Sequence, residues 1–349
     1  MKKIFFVLFL SVFLITSCTT QTSPQTQVDL PEITNDLEKF YTQELIWKEC
    51  KDTKFECATI EVPVDYENPT GASLTLSLKK LPAKKEKIGT LLINPGGPGG
   101  SGTDFVTYAE DAFGKRLMDS FDILGFDPRG VAESTPLDCL TDKEVDEFIA
   151  FDGTPDNESE INQSVELSKN MVEGCEKIAN NLIAHIGTQD AARDMDVIRQ
   201  LVNDPKLNYL GASYGTYLGA TYAQLFPDRV GRLVLDGAVD PLLSGEELSF
   251  DQAVGLDQAL YRFVEDCPKH KDCPLSKTGK EGVQEIRDFL DSLDEKPLPT
   301  QDPNRLLTQS MGVYAVAGFL YNESWWEYMR QSLQSAFGND GTDLLIIVD

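Results

Sequence analysis

The residues with the clearest chemical potential are Gly211-Ala212-Ser213-Tyr214-Gly215. A serine hydroxyl is a weak nucleophile until it is lifted clear of its backbone and set beside a base. This pentapeptide meets the first condition. It follows an apolar run ending at Leu210 and opens a helical pattern from Thr216 to Phe226, which Pro227 stops. A second apolar run, Leu233-Val234-Leu235, closes at Asp236-Gly237. Between a strand and a helix, G-x-S-x-G is a nucleophile elbow, too tight for side chains beside the serine. Ser213 is therefore the expected nucleophile.

A second glycine-rich stretch lies upstream. Thr90-Leu91-Leu92-Ile93-Asn94 has the nearly continuous apolar character of a strand buried on both faces. It runs straight into Pro95-Gly96-Gly97-Pro98-Gly99-Gly100-Ser101-Gly102. Such glycine density lets backbone amides approach a ligand closely. A phosphate cradle would require a Gly-Lys-Ser/Thr ending, which is missing. With the Ser213 elbow downstream, the loop reads instead as an oxyanion hole. The amides of Gly97 and Tyr214 are the expected donors, with Gly96, Pro98 and Gly99 as supporting loop. The next buried strand, Phe121 to Phe126, delivers Asp127-Pro128-Arg129-Gly130. There Asp127 and Arg129 are expected to support the same rim, Arg129 pairing with Asp127 or another carboxylate.

A base is harder to find. On this elbow the order is serine, then an acid, then histidine. The chain has two histidines. His185 precedes Ser213, and His270 sits in a cysteine-flanked loop with no strand before it. Asp236 ends a strand but would have no histidine to orient, and forms a turn with Gly237. The sequence closes on Leu344-Leu345-Ile346-Ile347-Val348-Asp349. The expectation is a truncated chain, with the remaining strands, the acid and the histidine beyond Asp349. A chain complete at Asp349 would retain only residual catalysis from the oxyanion hole and binding.

The surrounding elements follow from periodicity. Ala58 to Tyr66 and Leu74 to Leu78 alternate as strands around the Asn68-Pro69-Thr70-Gly71 turn, with Pro63 marking an edge. Residues 142–151 and 159–180 read as helices. Ile161, Val165, Val172, Cys175 and Ile178 fall on one face of the second. Thr188 is expected to cap a helix to Leu201 whose buried side carries Ala191, Ala192, Met195 and Ile198. After Asp240 the βα rhythm stops. Residues 247–266, 280–293 and 311–337 read as helices of a lid, around a proline-rich stretch at 293–303. The expected fold class is α/β: a mostly parallel central sheet with helices on both faces, an inserted helical lid and the last strands missing. The core is expected over 38–240 and the cap over 241–349.

At 349 residues and net charge −26, the chain has nothing to neutralise phosphates, which argues against nucleic acid. It also offers no basic patch for anionic lipid. Lys2 and Lys3 precede the apolar segment Ile4 to Ile15, the pattern of a signal peptide over 1–17. Ile15-Thr16-Ser17-Cys18 resembles a bacterial lipobox, so Cys18 is the expected lipidated first residue, and 18–37 a flexible tether. The expected location is the outer face of a bacterial membrane; the alternative is ordinary secretion. Six cysteines remain, and an even number in an exported chain suggests disulfides. Nearest-neighbour pairing gives Cys50–Cys57, Cys139–Cys175 and Cys267–Cys273. Their spacing does not suit zinc, so no metal is expected, and no cofactor.

Four motifs in order carry a family resemblance: Asn94 to Gly102, Gly125-Phe126-Asp127-Pro128-Arg129-Gly130, Gly211 to Thr216, and Leu235 to Pro241. Together they resemble the secreted tripeptidyl aminopeptidases, α/β-hydrolases related to proline iminopeptidase. The resemblance covers roughly 45–349. It implies the α/β-hydrolase fold, a serine exopeptidase acting on peptides with free amino termini, and a C-terminal portion carrying the acid and histidine that has no counterpart here. Asn94 stands where the proline iminopeptidases carry a histidine. Cap carboxylates bind the substrate amino group in those relatives, which puts Glu246, Glu247 and Glu265 in the same territory. The alternatives are a carboxylesterase and a non-catalytic, peptide-binding surface lipoprotein.

Overall fold

Period-two alternation of apolar residues builds the sheet and decides what packs on each side. The computed structural model describes residues 36–349. The expected signal peptide, Cys18 and the tether as far as residue 35 lie outside the described residues. Seven strands, β1 (Lys48–Glu49), β2 (Glu56–Pro63), β3 (Ser73–Leu81), β4 (Gly89–Asn94), β5 (Phe121–Phe126), β6 (Leu207–Ala212) and β7 (Val230–Asp236), form one sheet. Their order is β1-β2-β3-β5-β4-β6-β7. β2 and β3 form the expected antiparallel hairpin, and β3 runs antiparallel to β5. From β5 through β4 and β6 to β7 every pairing is parallel. β1 covers only the Glu56–Cys57 end of β2, so Pro63 sits where no neighbour needs its missing N–H.

Thirteen helices accompany the sheet among the described residues. Helix α1 (Glu38–Tyr41) precedes it; α2 (Gly102–Thr107), α3 (Ala109–Ala112) and α4 (Lys115–Ser120) join β4 to β5. Between β5 and β6 come α5 (Asp142–Ala150), α6 (Glu158–Glu176) and α7 (Thr188–Leu201), and α8 (Tyr214–Leu225) joins β6 to β7. Leu92, Leu124 and Phe126 face α1, α7 and α8 in the larger core. Their neighbours Leu91, Ile93, Phe121 and Ile123 face α2 to α4 in a second cluster. β4 and β5 are buried along their whole length, as their unbroken apolar runs predict. β7 is the outermost strand, and Val234 and Leu235 on it are exposed.

From Gly245 onward the chain is helical: α9 (Gly245–Asp266), α10 (Gly279–Glu295), α11 (Gln309–Leu320), α12 (Trp326–Phe337) and α13 (Thr342–Val348). They share a core of their own, including Phe263, Ile286, Met311, Phe319 and Met329. Ile149 and Ala150 of α5 pack against it, so the excursion after β5 joins the same helical body. The Ser310 hydroxyl reinforces this join, accepting from Gly153 N–H (2.9 Å) and donating to Phe151 O (2.6 Å).

Three local expectations need correction. The apolar stripe expected on the 159–180 helix is mostly not buried: Ile161, Val165 and Val172 are exposed, Cys175 is covered, and Ile178, beyond the end of α6 at Glu176, packs against the larger core. Thr188 does not cap α7. Gly187 holds that position without a side-chain bond, and the Thr188 hydroxyl is engaged by Tyr214 (2.7 Å). The 311–337 stretch is two helices, broken where the Asn322 side chain takes Ser324 N–H (2.9 Å). The three cysteine pairs join as nearest-neighbour pairing predicts.

Candidate active site

Ser213 occupies the turn between β6 and α8 at φ 53° and ψ −123°. An L-residue enters such backbone territory only at a cost of about 1–3 kcal/mol, met by the surrounding structure. Here the support is explicit. Ser213 N–H donates to Asp236 O across to β7 (2.9 Å). The Thr216 N–H and hydroxyl both donate to Ser213 O (2.8 and 2.6 Å). Thr216 Oγ1 in turn accepts from Val239 N–H (2.9 Å). The buried Tyr209 hydroxyl donates to Gly215 O (2.7 Å) and fixes the first turn of α8 from below. A Cβ on Gly211 would lie 2.2 Å from Gly215 O, so the elbow closes only around glycine. The Ser213 side of the turn is exposed.

The glycine loop after β4 lies directly on this elbow. Asn94 and Gly211 are register partners at the ends of β4 and β6. Gly96 has φ 97°, and a Cβ there would sit 2.4 Å from Ala212 O and 3.0 Å from Ser213 Cβ. Gly97, Pro98 and Gly99 form the exposed crest, and Gly100 N–H closes back on Gly96 O (3.1 Å). Tyr214 is the first residue of α8, where an N–H has no intrahelical acceptor. The two expected donors, Gly97 and Tyr214, therefore come from segments in van der Waals contact.

Asp127 and Arg129 leave the same strand end in different directions. Asp127 is wholly buried and accepts from the Ser101 hydroxyl (2.6 Å), Thr103 N–H (3.1 Å), Thr103 Oγ1 (3.1 Å) and Glu133 N–H (3.3 Å). It thus ties down the far end of the glycine loop. Arg129 pairs with the other of its expected partners, a carboxylate that is not Asp127, and its hydrogen bonds go to segments other than the glycine loop. Its guanidinium donates to Asp194 at two points (2.8 and 2.7 Å), to Val64 O, to Pro63 O and to His185 O. Burial opposes its charge, but Asp194 more than offsets this and holds the Arg129 pKa above its ordinary value. Asp194 is not among the sequence-derived candidates, although its position carries a signal. It falls among Ala191, Ala192, Met195 and Ile198 on the buried side of α7, where a carboxylate needs a bonded cation.

The remaining candidates lie elsewhere. His185 ends a 3-10 turn spanning Ala179–His185, and its carbonyl serves Arg129 (2.7 Å). The His270 ring is bonded to Asp266 (2.9 Å) inside the Cys267–Cys273 loop. Neither ring is hydrogen-bonded to Ser213 among the described residues. Asp236 contributes its backbone carbonyl to the elbow, while the residue itself is exposed. Glu246, Glu247 and Glu265 are all on α9, and Glu247 is engaged in the capping box with Ser244.

Residues 89–347 match the family model for the alpha/beta hydrolase fold. Serine protease Hip1 of Mycobacterium tuberculosis is 37% identical over 302 residues, covering 84% of this chain and 58% of that protein. Carboxylesterase B of the same species is 36% identical over 297 residues, covering 84% of this chain and 57% of that protein. The tripeptidyl aminopeptidase of Streptomyces coelicolor is 38% identical over 206 residues, covering 56% of this chain and 38% of that protein. The chain spans under two thirds of the length of each of these relatives.

Proposed function

This chain belongs to the alpha/beta hydrolase fold family, and from that premise we propose that it contributes the nucleophile of a serine exopeptidase acting on free peptide amino termini. The observation that carries the reading is the seating of Ser213, at φ 53°, against Gly96 of the glycine loop. Ser213 Oγ attacks the scissile carbonyl carbon, and the Gly97 and Tyr214 amides stabilise the developing oxyanion. The hydroxyl proton passes to a base and then to the departing amine, and water releases the acyl group. The reading requires a base, and neither the His185 nor the His270 ring is hydrogen-bonded to Ser213 among the described residues. Similarity to the Streptomyces aminopeptidase and to the Hip1 protease supports a peptide substrate. The Cys18 lipobox supports export and anchoring to a membrane.

The test is turnover of amino-free tripeptide anilides by the native protein, with Ser213→Ala as control. The reading expects hydrolysis that the variant abolishes, and equal rates in both would refute it. Similarity to carboxylesterase B favours a second reading, ester hydrolysis by the same elbow. A short-chain nitrophenyl ester turned over in preference to the anilide would decide for it. Peptide binding without turnover and without fluorophosphonate labelling of Ser213 would decide for a binding protein. Radiolabelled palmitate incorporation lost in Cys18→Ser would support the anchor.

A further inference from the structure

Asn94 joins the two glycine segments of the site. It is the last residue of β4, is 1% exposed, and accepts the Gly96 N–H on its Oδ1 at 2.9 Å. On its other side it abuts the elbow, since a Cβ on Gly215 would lie 2.9 Å from both Asn94 O and Asn94 Oδ1. The amides at the elbow end of the loop, residues 95–100, can be accounted for one by one. Pro95 and Pro98 have no N–H. Gly96 N–H is taken by Asn94 and Gly100 N–H by Gly96 O. That leaves the N–H groups of Gly97 and Gly99, and Gly97 follows the residue that touches Ser213.

We infer that Asn94 is the positioning residue of the oxyanion loop: its carboxamide oxygen holds Gly96 against the elbow and leaves the Gly97 amide for the substrate carbonyl. This rests on the reading of Ser213 as nucleophile. A chain whose Gly96 amide lacked this acceptor would hold the loop by packing and the Gly100 N–H bond alone, and the Gly97 dipole would be less firmly fixed before reaction. Preorganisation of such dipoles is what makes them effective. An acceptor at position 94 is therefore needed, but a charged one would set a buried carboxylate beside the loop amides that are to stabilise negative charge.

The experiment compares the full chain with Asn94→Ala and Asn94→Asp. Amide exchange at Gly96 and Gly97 is read by nuclear magnetic resonance, and fluorophosphonate labelling of Ser213 by intact mass. Asn94→Ala is expected to speed Gly96 exchange by about tenfold or more, the weight of one buried hydrogen bond. It should slow labelling by roughly a hundredfold, the effect of losing one oxyanion donor. Asn94→Asp keeps the acceptor and the shape, so Gly96 should stay protected while labelling still slows. Gly96 exchange unaltered in Asn94→Ala, or unaltered labelling in both variants, would overturn the inference. A wild-type Ser213 that never labels would instead overturn the nucleophile reading, and Gly96 exchange would still decide whether Asn94 holds the loop.

Discussion

Arg129 and Asp194 form a two-point ion pair with both side chains fully buried, Nε to Oδ2 at 2.8 Å and Nη2 to Oδ1 at 2.7 Å. Tyr66 adds a hydroxyl to the same carboxylate (2.8 Å). Burial pushes the Asp194 carboxyl upward, opposed by the guanidinium. The pair fastens the exit of β5 to α7 and, through Val64 and His185, to the segments on either side. Removing one partner leaves an uncompensated buried charge, which costs about 3–5 kcal/mol. Asp194→Ala is expected to lose that much in urea unfolding. The double replacement Arg129→Met with Asp194→Leu should lose less than the single one. A single variant within 1 kcal/mol of wild type, on the order of a surface change, would contradict this account.

What was legible in the sequence was local. The elbow, the glycine loop and the strands feeding them are set by contiguous residues, and the structure assembles them as read. The partner of Arg129 lies 65 residues away, and nothing near Arg129 distinguishes Asp194 from Asp127. The sequence signal that could have pointed to it is general: an aspartate on an apolar helix face must be bonded. Periodicity misled in α6, where Ile161, Val165 and Val172 keep helical spacing yet face solvent. Spacing reports which residues share a face, not whether another element covers it. Asn94 was visible only as a departure from relatives. Its work depends on a backbone bond two residues on, which composition does not reveal.

The disulfides should differ in weight. Cys139–Cys175 closes a separation of 36 residues, and Cys267–Cys273 one of 6. Chain-entropy reasoning gives about 4 kcal/mol for the longer loop and about 2 kcal/mol for the shorter. The bridge also holds the end of α6 to the segment after β5, with a Cβ on Gly174 falling 1.8 Å from Cys139 O. Cys139→Ser with Cys175→Ser is expected to lower the melting temperature more than the Cys267/Cys273 double variant. The reverse order in calorimetry would show that native-state strain, not loop closure, dominates.

Three helices of the described chain begin with capping boxes: Thr141 with Glu144, Asn157 with Glu160, and Ser244 with Glu247. Backbone amides of Thr141, Asp156 and Ser244 donate to these carboxylates and hold all three pKa values below the ordinary glutamate range. A carboxylate with a lowered folded pKa adds stability above its unfolded value, roughly 4.3, and that stability is lost as pH falls through the folded value. Helix content should therefore erode below about pH 4.3, with α5, α6 and α9 fraying first. Replacing all three glutamates with glutamine should flatten that part of the pH profile. An identical acid profile in the triple variant, followed by circular dichroism, would assign the loss to other carboxylates.

Ser213 pairs strain with exposure, and the two can be separated by one substitution. Its φ of 53° is disfavoured for any residue with a Cβ. Its hydroxyl has no hydrogen-bond partner among the described residues, so removing it costs no internal bond. The backbone bonds to Asp236 O and from Thr216 are independent of the side chain. Ser213→Gly should therefore relieve strain worth about 1–3 kcal/mol, offset by up to about 1 kcal/mol of extra unfolded-chain entropy. The expected result is a variant at least as stable as wild type in urea unfolding, yet unreactive toward fluorophosphonate. Ser213→Ala, which keeps the Cβ, should be equally unreactive without the gain. A Ser213→Gly protein clearly less stable than Ser213→Ala would mean that the turn is not strained. The serine would then sit there for structural reasons rather than for its hydroxyl.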